Sequence, residues 1–196
     1  MPRPSTNVDT SRKILDVAER LLQTRGYNAF SYADIAQSLH ITKASLHYHF
    51  PTKAVLGKRL IERYEQSFLQ ALADIDKSGT GIDEKLRRYV GLYVKVLHND
   101  RMCLCGMLAA EYATLPKPMR VELKHFFDEN ERWLVATLEE GHKTKKLGFA
   151  GSAREVAQLL IGSLEGAMML ARSYGDIRRF EATSERLLAG LGIGAA

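Results

Sequence analysis

Between Ile41 and Phe50 the chain reads ITKASLHYHF, which gathers one lysine, two aliphatic hydroxyls, two imidazoles and a phenol into ten residues. These are groups for meeting phosphate oxygens and base edges. Lys43 suits a phosphate or a guanine, while Thr42 and the free amides of a helix N-terminus suit phosphates. His47 and Tyr48 can donate to phosphate oxygens from the flanks, and small Ala44 and Ser45 let the backbone approach closely. A metal is a poor reading of the two histidines, because His47 and His49 lie about 200° apart on a helix and face opposite sides. Leu46 and Phe50, and with them His49, read as core. A second chemistry belongs to Cys103 and Cys105 in MCLCGM. Arg101, or the start of a helix near Met102, would favour the nucleophilic thiolate of Cys103. The ordinary alternative is a small buried hydrophobe, and C-x-C on a helix splays its thiols apart. Zinc bound by the pair with His98 or His125 would lack a second C-x2-C or H-x3-H element.

The elements that must position these groups are helical almost throughout. Ile14, Leu15, Ala18, Leu21 and Leu22 fall on one helical face, and Gly26 closes that helix. Ser31 caps a second helix, with Asp34 three residues on, and turns Ile35, Ala36 and Leu39 inward. Thr42 caps a short third helix that Pro51 ends. Thr52 caps a long fourth helix through about Asp76. Further helices are predicted over about 82–98, 102–114, 118–145, 152–173 and 177–190. No segment alternates with period two, so the fold class is all-α: an N-terminal three-helix DNA-binding domain with a helix-turn-helix, over 10–56, and a C-terminal helical regulatory and dimerisation domain over 57–196. Residues 1 to 9 read as a disordered arm.

Two short helices joined by a tight link, the second rich in donors, form a helix-turn-helix, whose second helix fits a major groove about 12 Å wide. Charge agrees with that partner. Residues 1–60 hold nine Lys/Arg against four Asp/Glu, whereas the remainder is balanced at nineteen of each. The excess of +5 therefore sits on a basic module that meets a polyanion, attached to a neutral body. No apolar run approaches the roughly 20 residues of a membrane span, and the N-terminus lacks a signal peptide's apolar region, so a cytoplasmic location is expected. Two cysteines fit a reducing compartment.

Residues 10 to 57 resemble the DNA-binding domain of TetR/AcrR-family transcriptional regulators. The resemblance is carried by Thr10, Ile14, Leu15, Ala18, Leu21, Gly26, Phe30, Ser31, Ile35, Ala36, Ile41, Thr42, Lys43, Leu46, Tyr48, Phe50, Lys53 and Leu56, without a gap. It implies that Lys53, at the start of the fourth helix, contacts a phosphate, and that Ser31 and Tyr32 touch the DNA backbone. Two positions depart from the pattern. His40 stands where glycine is usual in the turn, and His47 where tyrosine is common; histidine tolerates the left-handed conformation better than most residues, so the turn is expected to survive.

The body resembles the family only in its helix pattern. The segment from 152 to 173 is apolar over too wide an arc for a surface helix, and its Leu160, Gly162, Ser163, Gly166 and Ala167 are expected to pack against a second copy in a four-helix bundle. An effector pocket is expected to be lined by Tyr89, Tyr93, Met107, Leu108, Glu111, Phe127, Met168 and Met169, although such residues are also ordinary core. The order CLCGMLAAE resembles a subgroup whose cysteine at the Cys103 position responds to electrophiles or oxidants. The expected protein is a dimeric, operator-binding repressor, not an enzyme, with no cofactor and a small-molecule or thiol-reactive effector. The alternatives are an effector-independent architectural DNA-binding protein and a thiol redox protein, for which no βαβ context or nucleophile–base–orienter set is present.

Overall fold

The computed structural model describes residues 4–194, with side chains from Asp9 onward, and every regular element among them is helical. The helices are α1 (Pro4–Arg25), α2 (Tyr32–Leu39), α3 (Lys43–His49), α4 (Lys53–Lys77), α5 (Ile82–Leu97), α6 (Leu104–Ala110), α7 (Lys117–Lys143), α8 (Ala153–Tyr174) and α9 (Arg178–Gly190). Where a disordered arm was expected over residues 1 to 9, the backbone is already helical from Pro4. Proline at the first helical position costs nothing, because the N–H it lacks would have no partner there. Residues 1–3 lie outside the described residues.

The chain divides into two compact units. The first comprises residues up to Gln66 together with Leu104–Phe126. Its core is the predicted stripe of α1, with Ile14, Ala18 and Leu22 fully buried, joined by Ile35 of α2, Leu46 of α3, and Leu56, Leu60 and Ile61 of α4. Burial of each such side chain is worth about 1.5–3 kcal/mol. Leu104, Cys105 and Leu108 of α6 and Met119 of α7 are equally buried, and α6 packs on α1. Gly57 admits that packing, since a Cβ there would stand 2.5 Å from the Met119 sulfur.

The expected helix over 102–114 is shorter than its pattern suggests. It starts at Leu104, ends at Ala110, and gives way to a 3-10 turn at Tyr112–Thr114. The reason is Glu111, whose carboxylate accepts the backbone N–H of Tyr27 at 2.6 Å and of Asn28 at 3.2 Å. Asn28 also donates from Nδ2 to the Thr114 hydroxyl at 2.7 Å. The turn between α1 and α2 is thereby held from the far end of α6.

The second unit comprises Ser67–Cys103 and residues from Phe127 onward. Here α8 packs on α5 and α9, and α5 on α9. Ser152 caps α8, its hydroxyl accepting the Glu155 N–H at 3.2 Å while Glu155 accepts the Ser152 N–H at 2.7 Å. Gly175 ends the helix in the left-handed region at φ 61°. Within the unit Tyr89 stacks on Trp133 at 5.5 Å and Tyr93 on Phe180 at 6.3 Å. The Tyr89 hydroxyl donates to Asn130 Oδ1 at 2.9 Å and lies 3.0 Å from the Tyr93 hydroxyl.

Candidate nucleic-acid interface

Local chemistry builds the helix-turn-helix as its residues dictate. The Ser31 N–H and hydroxyl both donate to the Asp34 carboxylate at 2.7 Å, which fixes the start of α2 and holds that carboxyl below its usual range. Helix α2 ends at His40, in the left-handed region at φ 54° and ψ 41°, and the next N–H, of Ile41, returns to the Ala36 carbonyl at 3.1 Å. Histidine thus adopts the left-handed conformation in the turn, which survives as expected. Thr42 then accepts the Ser45 N–H at 3.1 Å and starts α3. Leu46, fully buried, and Phe50, at 4 %, anchor the inner face of α3, and His49 is half-buried. On the outer face Thr42, Lys43, Ala44 and His47 are exposed, Ser45 is half-exposed, and Tyr48 shows 75 % of its surface.

His47 is oriented by its surroundings. Its ring lies 4.8 Å from the Tyr32 ring, and Nδ1 is 3.1 Å from the Pro51 carbonyl. A carbonyl only accepts, so Nδ1 carries the proton and Nε2 is the nitrogen left for an outside partner.

Two residues that resemblance assigned to the DNA backbone are used inside the domain. Tyr32 is buried, and its hydroxyl donates to the Phe50 carbonyl at 2.7 Å; burial pushes its pKa up to about 12. That bond fastens the end of α3 to the start of α2. Lys53 donates from Nζ to the carbonyls of Tyr27, at 2.5 Å, and Phe30, with its ammonium over both rings at 4.5 and 4.4 Å. Burial lowers the Lys53 pKa, while Glu111 and Asp34 oppose that shift. Even so, Lys53 lines an open cleft of about 380 Å³ together with Phe30, Ser31, Tyr32, Ala33, Lys43 and His47. Two lysines, an imidazole and the first turn of α2 therefore converge on one concave surface, a fitting receptor for a phosphate backbone.

The residues expected around an effector are divided between the two units. Tyr89, Tyr93, Cys103 and Met168 are buried in the second unit. Met107 and Leu108 belong to α6 in the first, Glu111 is committed to the α1–α2 turn, Phe127 is half-buried, and Met169 is 39 % exposed. Sequence reasoning missed Glu165. It is buried among Leu164, Ala167 and Met168, and burial pushes its pKa up to about 7, partly offset by the neighbouring Cys103 thiol. The signal was legible as one carboxylate inside an apolar arc. Nor does α6 begin near Met102, as expected; Cys103 directly precedes it and is 4 % exposed. On α8, Leu160 and Ala167 point into their own unit at 3 % and 6 % exposure, whereas Gly162 is exposed and Gly166 has open space where a Cβ would lie. Among the described residues no helix is long and apolar enough to cross a membrane, and no cluster of three His, Cys, Asp or Glu residues is placed to hold a metal ion.

Known proteins share this layout. The description "Bacterial regulatory proteins, tetR family" matches residues 14–60, and "Tetracyclin repressor-like, C-terminal domain" matches residues 83–187. The HTH-type transcriptional repressor NemR of Escherichia coli K12 is 26 % identical over 197 residues, covering 94 % of this chain and 96 % of NemR. IcaR of Staphylococcus aureus Newman, a negative regulator of the biofilm operon icaADBC, is 30 % identical over 135 residues, covering 61 % and 70 % of the two chains. Among solved structures, a TetR-family regulator from Agrobacterium tumefaciens is 34 % identical, with a TM-score of 0.92 and coverage of 94 % and 98 %. One from Legionella pneumophila is 33 % identical, with a TM-score of 0.85 and coverage of 93 % and 97 %. With both its DNA-binding and its C-terminal regions matched, the chain belongs to the TetR family of bacterial DNA-binding transcriptional regulators, not to a family of enzymes.

Proposed function

We propose that the protein is a dimeric repressor that occupies a palindromic operator and leaves it when an effector acts on the second unit. The observation that carries this reading is the outer face of α3, where exposed Thr42, Lys43, Ala44, His47 and Tyr48, with Ser45 beside them, stand over a fully buried Leu46. An exposed donor face on a rigidly seated helix is what major-groove readout requires. Lys43 and His47 are assigned to bases, and Tyr48 and Lys53 to phosphates. Ser31 and Tyr32 serve by shaping the cleft, because their hydroxyls are held by Asp34 and Phe50. DNA reading is assigned to residues 10–56, and regulation and dimerisation to 57–196.

The dimer is assigned to the outer face of α8. Leu159 and Leu170, 60 % and 59 % exposed, flank Gly162, Ser163 and Gly166 on one helical stripe, with Met169 beside it. Small residues between large apolar ones let a second backbone approach closely. Leu160 and Ala167, on the adjoining face and buried, support this arrangement from within. For the effector, the buried cluster of Tyr89, Tyr93 and Cys103 favours a thiol-reactive compound, because Cys103 joins an otherwise unreactive set.

A gel shift on DNA upstream of the gene for this protein tests the whole reading, with and without N-ethylmaleimide or candidate small molecules. A retarded band that the compound releases is the expected result. Sequence-blind binding that no compound affects would establish the architectural alternative instead.

A further inference from the structure

His47 differs from the other polar groups on the outer face of α3 in what its ring can offer. The ring is exposed, lies 4.8 Å from the Tyr32 ring, and gives its Nδ1 proton to the Pro51 carbonyl at 3.1 Å. A neutral imidazole has one N–H, so Nε2 keeps a lone pair and no proton. It can only accept. Three neighbours that line the same cleft have their donors committed elsewhere: the Tyr32 hydroxyl to the Phe50 carbonyl, the Ser31 hydroxyl to Asp34, and the Lys53 ammonium to the carbonyls of Tyr27 and Phe30. The remaining charged residue of the cleft is Lys43, four residues earlier on the same face of α3, and no carboxylate lines it.

Resting on the assignment of His47 to the bases, we propose that its locked tautomer selects an amino-bearing base, adenine or cytosine, at one strand position of each operator half-site. The groove supplies the reason. In the major groove adenine N6 and cytosine N4 carry N–H donors, whereas guanine presents N7 and O6, and thymine O4, which only accept. An acceptor set against an acceptor leaves both desolvated and unpaired, so guanine or thymine is rejected there. A phosphate oxygen is rejected on the same ground. Lys43 has the opposite chemistry, donors alone, and selects guanine. The two side chains are separated by about 6 Å along the helix axis, which corresponds to about two base-pair steps, so each half-site joins a guanine to an adenine or cytosine within that distance. The tyrosine common at this position would both donate and accept, and would not discriminate in this way.

The test is selection of duplexes from a randomised pool by the full-length protein at about pH 8, repeated with His47→Lys, together with nitrogen NMR of the imidazole. In wild type one position of each half-site is expected to hold adenine or cytosine and to exclude guanine and thymine by about tenfold. His47→Lys replaces the acceptor by a donor, so that position should turn to guanine or thymine while the rest of the site is kept. The His47 nitrogen signals, identified by their loss in His47→Ala, should show Nδ1 protonated and Nε2 bare in the free protein. Because the side chain is exposed, neither variant is expected to unfold. Guanine or thymine at that position in wild type, a site that His47→Lys leaves unchanged, or a proton found on Nε2 would overturn the proposal and leave base reading by α3 standing. A pool that yields no preferred sequence would end base reading itself, and with it the operator proposed above.

Discussion

Lys53→Met separates two roles that the structure superimposes on one ammonium. Methionine keeps the unbranched stem over the Tyr27 and Phe30 rings but deletes the charge and both bonds to the Tyr27 and Phe30 carbonyls. A hydrogen bond from a charged donor contributes about 1.5–3 kcal/mol, and a cation over a ring about 0.5–1 kcal/mol at an exposed site. Lys53 is only partly buried, so water rehydrates the freed carbonyls and the low end applies. Two bonds at the low end, with the ring contact, make the loss about 3 kcal/mol, read as a lower urea midpoint at unchanged m-value. Operator binding measured from 50 to 200 mM salt tests the second role. Each phosphate contact contributes about 0.9 to the slope of log K against log salt, so the slope should fall by about one on cognate and random DNA alike. A stability loss with an unchanged slope would make Lys53 a strut alone. Unchanged stability would refute the reasoning, since it would mean that two short bonds to carbonyls hold nothing.

The α8 face is tested by Gly166→Arg, which should yield monomers in sedimentation and lose far more operator affinity than a single contact variant, because two linked half-site contacts become one; a fully dimeric variant would refute the assignment. Glu165 sets a pH dependence. Its pKa is raised from 4.5 to about 7, so the folded chain holds the proton more tightly, and the associated stability is full below about pH 4.5 and lost as pH rises through 7. At 1.36 kcal/mol per pKa unit this is about 3 kcal/mol, measured as the pH-dependent difference in unfolding free energy between wild type and Glu165→Gln; a flat difference would contradict it. His40→Gly should stabilise the domain by up to about 1 kcal/mol in thermal unfolding, because glycine adopts the left-handed turn without steric cost; a destabilised variant would show that the imidazole makes a contact of its own.

Legibility followed the range of the interaction. The start of α2 at Ser31, the start of α3 at Thr42, its end before Pro51, and the left-handed turn at His40 were all readable, because each is decided by groups within about four residues. The buried Leu46 and exposed Tyr48 followed from helical period alone. Tyr32 and Lys53 were not readable in the same way. Both belong to the DNA-binding domain, yet whether a long polar side chain turns outward to a phosphate or inward to a carbonyl depends on where Phe50, Tyr27 and Phe30 end up.

By itself, then, the sequence determined an all-helical chain with a basic reading head, since period, caps and charge placement are local properties of the residues. Only tertiary structure decided which face of α8 stays outside, because an apolar arc that wide offers two burials and neighbouring α5 and α9 choose between them, taking Leu160, Leu164 and Met168 and leaving Leu159 and Leu170. It alone also decided that Glu111 grips the α1–α2 turn across 84 residues and that Glu165 ends up buried. Contacts between groups so distant in the chain exist only once packing has fixed both ends, and no local preference encodes them.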